Sequence, residues 1–537
     1  MNEPDEQPPG AAELATKDGP QHSLNPVLAP SVAPRWWGAV AGLGCMAVGL
    51  GVGALSTGLA RSLRPPVLSV GDRVVDATPA WLKDFAIATF GTNDKTALIV
   101  GTVLLLALVS VLTGMVAIRH SLTVGLAVVG AFGLLGMAAA SFGRASSSIG
   151  WLPSLLSTLA AGASLTLLCR RGTPRSASIG LVVGRRRLLT GAGAAALTAA
   201  VAFAGGWALR GRFAADVERA GIRLRRPLKP LPPPPADPAT TLSGLSPLIV
   251  PNRDFYRIDT SLLMPAVTVE EWALTLDGMV DRPQRFTYDQ LWDRELFEYD
   301  ITLSCVSNEV GGELVGNARW VGVRLDDLLA ECGVRKTADQ IMTHSVDGFT
   351  AGFPVEAAMD GRDAIVALTM NGEVLPVAHG YPARLIVPGL YGYVSATKWL
   401  SRLELTRFDQ AQGFWIPRGW SVRAPIKTQS RIDTPISGST LPRRPTAIAG
   451  VAWAPITGII KVEVQLGEGP WQQAELGPSL GDAAWRQWWF SWPATPGTHL
   501  LRCRATDGTG KAQTGLNAPP APDGATGYHT IKVKVEA

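Results

Sequence analysis

Thr302-Leu303-Ser304-Cys305-Val306-Ser307-Asn308-Glu309-Val310-Gly311-Gly312 is the stretch on which the reading of this 537-residue chain turns. Tyr299–Val306 alternates as a strand, which puts Ile301 and Leu303 on the face shared by Cys305. The Gly-Gly break that follows lets the chain turn and lets another group approach its backbone. A free cysteine is often just a small buried apolar residue. An inert core position, however, would not need Ser304, Ser307 and Asn308 around it. Buried filler and reactive thiol both stay open at this point.

Downstream lies a cluster suited to an anion. His379-Gly380-Tyr381-Pro382-Ala383-Arg384 is followed by Tyr391-Gly392-Tyr393-Val394-Ser395-Ala396-Thr397-Lys398-Trp399. Glycines let backbone N–H groups reach a phosphate, and Arg384, Lys398 and hydroxyls can hold and neutralise it. The alternative for the two cations is an ordinary surface salt-bridge role. The segments around this cluster mix strand and helix patterns. Glu270–Met279 alternates as a strand that ends at Asp281-Arg282-Pro283, and a short helix begins over Thr287–Trp292. Trp320–Cys332 reads as a strand running into a helix, with Leu325, Leu328 and Leu329 at helical spacing and Gly333 as its stop. Short strands follow at 364–369 and 383–388. Without regular βαβ alternation, residues 248–412 are expected to form an α+β domain.

The N-terminal half has a different character. The chain is 47% hydrophobic and only 17% charged, and its first 210 residues hold most of the long uncharged runs. Residues 1–35 are rich in Pro, Glu, Gln and Ala and read as a disordered tail. Apolar stretches near 36–59, 97–118, 121–141, 151–169 and 188–209 each approach the roughly 20 residues that cross a bilayer core. They predict an all-α membrane bundle of five transmembrane helices over 36–210. Its Gly and Ala content suits close helix packing. No internal acid or histidine indicates a proton path or haem ligation, so an anchor is expected rather than a transporter. Arg170, Arg171, Arg175, Arg185, Arg186 and Arg187 cluster between the last two stretches, which places that loop in the cytoplasm. Arg61, Arg64, Arg73, Lys83 and Lys95 argue the other way but are diluted by four Asp. The tail is then cytoplasmic and everything after about residue 210 lies outside. Gly184-Arg185-Arg186-Arg187-Leu188-Leu189-Thr190 resembles an internal twin-arginine export signal, although plain flanking arginines account for it equally. The Pro-rich residues 211–247 are expected to be a semi-rigid spacer that holds the soluble part off the bilayer.

Residues 413–537 are Trp-rich, and strands alternate at 447–453, 460–466, 498–505 and 529–536, with Asp507-Gly508 as a turn. This spacing predicts an immunoglobulin-like β-sandwich. Five cysteines without a CxxC pair indicate neither a zinc site nor a disulfide framework, and no Cys332–Cys503 bridge is expected. A net charge of +5 with no basic–aromatic cluster after residue 260 argues against nucleic acid as a partner.

The chain resembles the sulfite oxidase family of molybdopterin enzymes. The resemblance is carried, in family order, by Asn252-Arg253-Asp254-Phe255-Tyr256-Arg257, the Cys305 segment, Asn317-Ala318-Arg319-Trp320-Val321-Gly322, Met370-Asn371-Gly372-Glu373-Val374-Leu375-Pro376, His379–Arg384 and Lys398-Trp399. It implies a mononuclear molybdenum with one pyranopterin dithiolene and Cys305 as thiolate ligand, a soft donor suited to such a metal. It also implies that Asn252, Phe255, Tyr256, Arg257, His379, Arg384, Ser395 and Lys398 contact the pterin and its phosphate. Arg257, Asn308 and Arg486 would then stand at the reacting centre beside Cys305. The implied activity is two-electron oxygen-atom transfer on a small oxyanion or an S- or N-oxide, in either direction; a non-catalytic tethered binding module is the rival from another class. No cytochrome b5-like haem segment is present, so a separate cytochrome or quinone system is the expected electron partner. The resemblance further implies homodimerisation through the sandwich; a module that only packs on its own catalytic domain is the alternative. Three departures bear on substrate. Glu309 stands where sulfite-oxidising members carry an arginine, and at ~4 Å a carboxylate would repel sulfite by roughly 1–4 kcal/mol. Gly392-Tyr393-Val394 replaces the family's Gly-Ala-Arg, with an extra residue before Lys398-Trp399, and 407–420 contains no tyrosine.

Overall fold

The structure is a computed structural model that describes residues 34–79, 82, 89, 94–144, 146–172, 180–211, 215–265 and 267–537. Of the disordered tail expected over 1–35, residues 1–33 lie outside the described residues, as do Lys83 and Arg175, and Arg35 already opens the first helix. Among the described residues, six helices form the N-terminal bundle: α1 (Arg35–Ser56), α2 (Pro66–Ala77), α3 (Asp94–Arg119), α4 (Leu122–Ser141), α5 (Leu152–Gly172) and α6 (Gly180–Gly211). All but α2 are long and apolar enough to cross a bilayer. Helix α1 is the centre of the bundle, packed on α3, α5 and α6 through its glycines. A Cβ on Gly42 would collide with the Ser110 carbonyl, and one on Gly38 with the α3 backbone at Met115. Small residues therefore set the helix spacing, as in other tightly packed bilayer helices.

Helix α2 has no counterpart in the sequence reading, because it is too short to span and too polar to stand out in a hydropathy scan. Val67, Val70 and Val74 lie on one face of it and Ser69, Asp72 and Asp76 on the other, the arrangement of a helix lying between apolar and polar layers.

The central region holds two sheets, one mixed and one wholly antiparallel. One has strand order β2-β1-β10-β5-β6, from β1 (Ala273–Gly278), β2 (Gln284–Thr287), β5 (Gln340–Ser345), β6 (Thr350–Pro354) and β10 (Leu400–Thr406). The other has order β3-β4-β7-β8, from β3 (Phe297–Ser304), β4 (Val315–Arg324), β7 (Ile365–Met370) and β8 (Glu373–Val374), with β9 (Arg384–Ile386) added on β7. Trp272, Leu274 and Leu276 all face the core, as their alternation requires. The short helix Tyr288–Trp292 starts in a capping box between Thr287 and Gln290. The helix Leu325–Cys332 stops at Gly333, whose φ of +69° is the left-handed turn glycine permits.

The C-terminal region is two sheets facing across one core. β11 (Gln429–Thr434), β13 (Pro445–Trp453), β17 (Arg486–Pro493) and β16 (Glu475–Leu476) form the first. β12 (Thr440–Leu441), β19 (Thr530–Val535), β18 (Gly497–Asp507), β14 (Ile459–Leu466) and β15 (Trp471–Gln473) form the second. Val462, Val464, Trp488, Leu501, Cys503 and Val533 fill the space between them. Cys503 is thus in a different core from Cys332, and both are free.

The spacer expected over 211–247 does not stand off the rest of the chain. Leu228 N donates to Leu296 O at 2.7 Å, and Arg319 Nη1 to Pro232 O at 2.9 Å. Prolines lack N–H donors, but their carbonyls still accept, and this strip runs along the central domain as a strap. The bundle touches the same domain directly. Arg61 donates to Thr268 Oγ1 at 2.6 Å, Arg144 to Thr260 Oγ1 at 2.9 Å, and Lys95 Nζ to Asp259 Oδ1 at 2.5 Å. The α1–α3 and α4–α5 connections therefore share one end of the bundle with the domain that follows α6, which is the parity five crossings require.

Trp485 joins the sandwich to the central sheet. It is 1% exposed, its backbone N–H donates to Thr302 Oγ1 at 2.6 Å, and its indole N–H donates to Leu248 O at 2.9 Å. Trp485→Ala is expected to cost about 3–5 kcal/mol through the cavity it leaves. A clear drop in the thermal unfolding midpoint of the solubilised chain checks this; an unchanged midpoint would remove Trp485 from that role.

Candidate active site

Strand β3 ends at Cys305, and the turn after it is closed from inside. Cys305 N–H donates to Leu314 O at 2.9 Å, and Leu314 N–H donates to Asn308 Oδ1 at 2.8 Å. Asn308 thus pins the loop and does not line the cavity described below. Gly311 has φ +81° and lies where a side chain would strike the His529 ring, while a Cβ on Gly312 would crowd Asn308 Oδ1. Arg431 Nη1 from β11 donates to Gly312 O at 2.6 Å. The Gly-Gly pair is therefore needed because the sandwich docks against this loop.

Cys305 is 8% exposed and lines a cavity of about 500 Å³. His379, Arg384 and Lys398 line the same cavity, as do Phe255, Tyr256 and Arg257. The strand-end cysteine and the basic residues some eighty to ninety positions later thus meet across one space. Burial pushes the Cys305 thiol up, with hydrogen bonds from Ser307 opposing. Such a thiol stays protonated until a cation or metal stabilises its thiolate.

The cations differ in how they are compensated. Arg384 is 5% exposed and donates only to carbonyls, to His379 O at 3.1 Å and Ala396 O at 3.3 Å. Its guanidinium lies over the Trp320 ring at 5.1 Å, and its Nε has no hydrogen-bond partner among the described residues. Burial lowers its pKa to about 10, and no carboxylate among the described residues pairs with it. Lys398 Nζ instead donates to Asp259 Oδ2 at 2.8 Å, yet burial still brings it down to about 8. Burial alone would raise the Asp259 carboxyl, but Lys398 and Lys95 outweigh this and hold it well below the usual range. Burial takes His379 down to about 4, with Arg384, Lys398 and Arg257 adding to the shift. Its Nε2 lies 2.7 Å from Asn252 O. As donor there, the neutral ring keeps Nδ1 as an acceptor.

Two other expected residues play supporting parts. Asn252 holds its neighbourhood in place through Nδ2 to Met370 O at 3.2 Å and Asn371 Nδ2 to its Oδ1 at 2.8 Å. Ser395 Oγ donates to Leu390 O and Tyr391 O and does not line the cavity. Arg486 is displaced from its expected place. It opens β17, and its guanidinium donates to Gly477 O and Ile459 O, both at 3.0 Å, so strand alternation ties it into the sandwich. The C-terminal cation that does line the cavity is Arg418, with Trp415 and Trp420 beside it. Asp259, Asp347 and Tyr393 also went unnoticed as lining residues. Only Asp259 carried a signal, as the acid two residues after Arg257. Glu309 lines the cavity but is exposed, so solvent screens it. Arg257, Arg384, Lys398 and Arg418 outnumber Asp259, Glu309 and Asp347, so the wall as a whole favours an anion.

These residues fit an anionic, sulfur-ligated group. A buried guanidinium without a counter-ion is costly unless an anion completes it, and a thiol at the far wall is the soft donor such a metal takes.

Residues 261–415 match the family described as oxidoreductase molybdopterin binding domain. The chain is similar to the mitochondrial sulfite oxidase of Homo sapiens, 29% identical over 279 residues that cover 43% of this chain and 51% of that protein. It is also similar to the uncharacterized oxidoreductase YuiH of Bacillus subtilis (strain 168), 30% identical over 153 residues, which cover 28% of this chain and 74% of that one. Among solved structures, the sulfane dehydrogenase SoxCD from Paracoccus pantotrophus aligns over 60% of this chain and 92% of that chain, at 25% identity and a TM-score of 0.48. The chain spans about half the length of the mitochondrial sulfite oxidases it matches.

The Lys398 ammonium gives a testable sign. Anion binding needs its protonated form, which is full below a pKa of about 8 and lost above it. The cofactor-free protein should therefore bind sulfate, which does not titrate here, about tenfold more weakly at pH 9 than at pH 7. Isothermal titration calorimetry reads this. Lys398→Arg should flatten the profile, and a flat wild-type profile would mean Lys398 takes no part.

Proposed function

Since the chain belongs to the sulfite oxidase family of molybdopterin-dependent oxidoreductases, we propose that it is a membrane-anchored oxygen-atom-transfer enzyme acting outside the cytoplasm. The observation that carries the reading is the buried, unpaired Arg384 facing Cys305 across one cavity. Molybdopterin with its molybdenum is the cofactor, and it supplies a two-electron redox centre with a transferable oxygen. Cys305 would lose its proton at Sγ and ligate the metal. Arg384 and Lys398 would hold the phosphate, and neutral His379 would offer Nδ1 to a donor on the pterin. Arg257 and Arg418 are the cations left on the substrate side, and Trp415 and Trp420 exclude water from the mouth.

A small oxyanion suits the cationic wall. A second reading, reduction of an S- or N-oxide, is favoured by the aromatic mouth of Phe349, Tyr393, Trp415 and Trp420, which suits an apolar substrate. The division into a 36–210 anchor, a 211–247 strap, a 248–412 catalytic domain and a 413–537 immunoglobulin-like domain that pairs two copies belongs to this proposal. So does export by the twin-arginine route, since a domain folded around its cofactor inside needs a carrier of folded protein. The electron partner in this reading is a separate cytochrome or quinone system.

Cys305→Ser should lose molybdenum by elemental analysis while the chain remains folded and inserted. Retained molybdenum would end the ligand assignment. A substrate screen that follows reduction or reoxidation of the metal decides direction. Replacing Arg186 and Arg187 with Lys keeps the charge but should leave the domain inaccessible to external protease. A loaded, accessible domain in that variant would rule out twin-arginine export.

A further inference from the structure

Lys95, the second residue of α3, brings a charge of the membrane bundle to the wall of the cofactor cavity. Its Nζ donates to Asp259 Oδ1 at 2.5 Å and to Ser261 O at 3.0 Å. Nothing in the helix itself favours a lysine there. The first turn of a helix carries the positive end of its dipole, where acids are favoured and bases are not. In the topology proposed above this turn also lies outside the cytoplasm, the side on which lysines flanking a span are sparse. Docking of the bundle has other contacts: Arg61 donates to Thr268 Oγ1 and to the exposed Glu271, and Arg144 to Thr260 Oγ1.

The partner of Lys95 explains its place. The Asp259 side chain is 4% exposed, and its two oxygens are divided between the bundle and the cavity. Lys95 engages Oδ1, whereas Lys398 Nζ and Arg257 Nε share Oδ2 at 2.8 and 3.1 Å. Lys398 is 10% exposed, and its other acceptor, Ala378 O, is 3.5 Å away. A buried carboxylate that could turn both oxygens to Lys398 would form a closed pair with it, and such a pair attracts a third charge only weakly. With Oδ1 engaged from the bundle, one oxygen remains for two cations of the cavity wall. Lys398 thus keeps part of its charge for an anion in the cavity.

We propose that Lys95 is a positioning residue for the anion site: by occupying one oxygen of Asp259, it leaves the Lys398 ammonium available to the cofactor's phosphate. The proposal rests on the reading above that Lys398 holds that phosphate, and it extends the site to a residue of the membrane bundle. Removing the Lys95 charge has two effects of opposite sense. Asp259 turns more of its charge to Lys398, which weakens the hold on an anion. The same change stabilises the ammonium, so Lys398 loses its proton at a higher pH than the value of about 8 to which burial brings it. The other groups that face Lys398 are Arg257, Arg384 and His379, which burial takes down to about 4 and keeps neutral. Asp347, Glu309 and Arg418 line the same cavity, and the test leaves all six unaltered.

The test titrates sulfate into the full chain, free of cofactor, in phosphatidylcholine nanodiscs at pH 7 and pH 9. Lys95→Gln keeps a donor beside Asp259 but removes the charge. It should bind sulfate roughly fivefold more weakly than wild type at pH 7. Its further loss of affinity on going to pH 9 should shrink from about tenfold to roughly threefold. Lys95→Met should behave in the same way, and Lys95→Arg should return both values to those of wild type. Arg61→Gln, which cuts a different contact of the same joint, should change neither. A merely structural role for Lys95 would weaken binding without shrinking the loss at pH 9. That outcome, or wild-type values in Lys95→Gln, would overturn the inference. Molybdenum content of the cofactor-loaded wild type separates the two claims. A chain that takes up neither molybdenum nor sulfate sinks the reading of the site. One that takes up both, while Lys95→Gln matches it, sinks this inference alone.

Discussion

A positive charge placed where water cannot reach it is the constraint around which the catalytic domain is built. Arg384 is buried over Trp320, its donors meet only carbonyls, and one N–H meets nothing among the described residues. Such a group costs several kcal/mol unless an anion completes it. A protein evolved for stability alone would replace it with a hydrocarbon side chain of similar volume. Its retention opposite a thiol makes sense if the missing negative charge arrives with a ligand, and the phosphate of molybdopterin is the charge proposed for it.

The thiol is positioned by parts of the chain that lie far apart in sequence. The Cys305 loop is closed by Asn308 from within, by Arg431 and His529 from the sandwich, and by Trp485 bonding Thr302 three residues before the cysteine. Fixing a ligand this firmly fits a metal whose reactivity depends on where its thiolate stands. It also gives the sandwich a role on its own catalytic domain, whether or not it pairs with a second copy.

The legible parts of the molecule were those governed by short-range periodicity. Five long apolar helices, the β1 alternation, the short helix beginning at Thr287 and the stop at Gly333 each follow from a few adjacent residues. The joining of Cys305 with His379, Arg384 and Lys398 was legible only through resemblance, because no local pattern encodes which strand ends face one another. Arg486 was misplaced for the same reason. Its Trp-flanked segment gave no hint that strand pairing would turn it towards the Gly477 and Ile459 carbonyls. The docking of the proline strap was missed because it depends on a surface that exists only once the domain has folded. A proline run is stiff and extended by itself, but stiffness does not say whether it stands free or lies against a neighbour.

Asp259 shows what that meeting accomplishes. Its carboxylate is buried among Lys398 and Arg257 of the cavity wall and Lys95 from the start of α3. One negative charge cannot fully balance three positive ones, so the cluster keeps a net positive field at the cavity while no single cation stands alone. Lys95 belongs to the membrane bundle, and through Asp259 the bundle helps set the charge of the catalytic cavity. A one-helix tether would not supply Lys95 to Asp259 or Arg144 to Thr260, the two contacts by which the bundle meets this edge of the domain. The bundle therefore reaches the site through the charge that Lys95 places on Asp259, which is more than attachment alone requires.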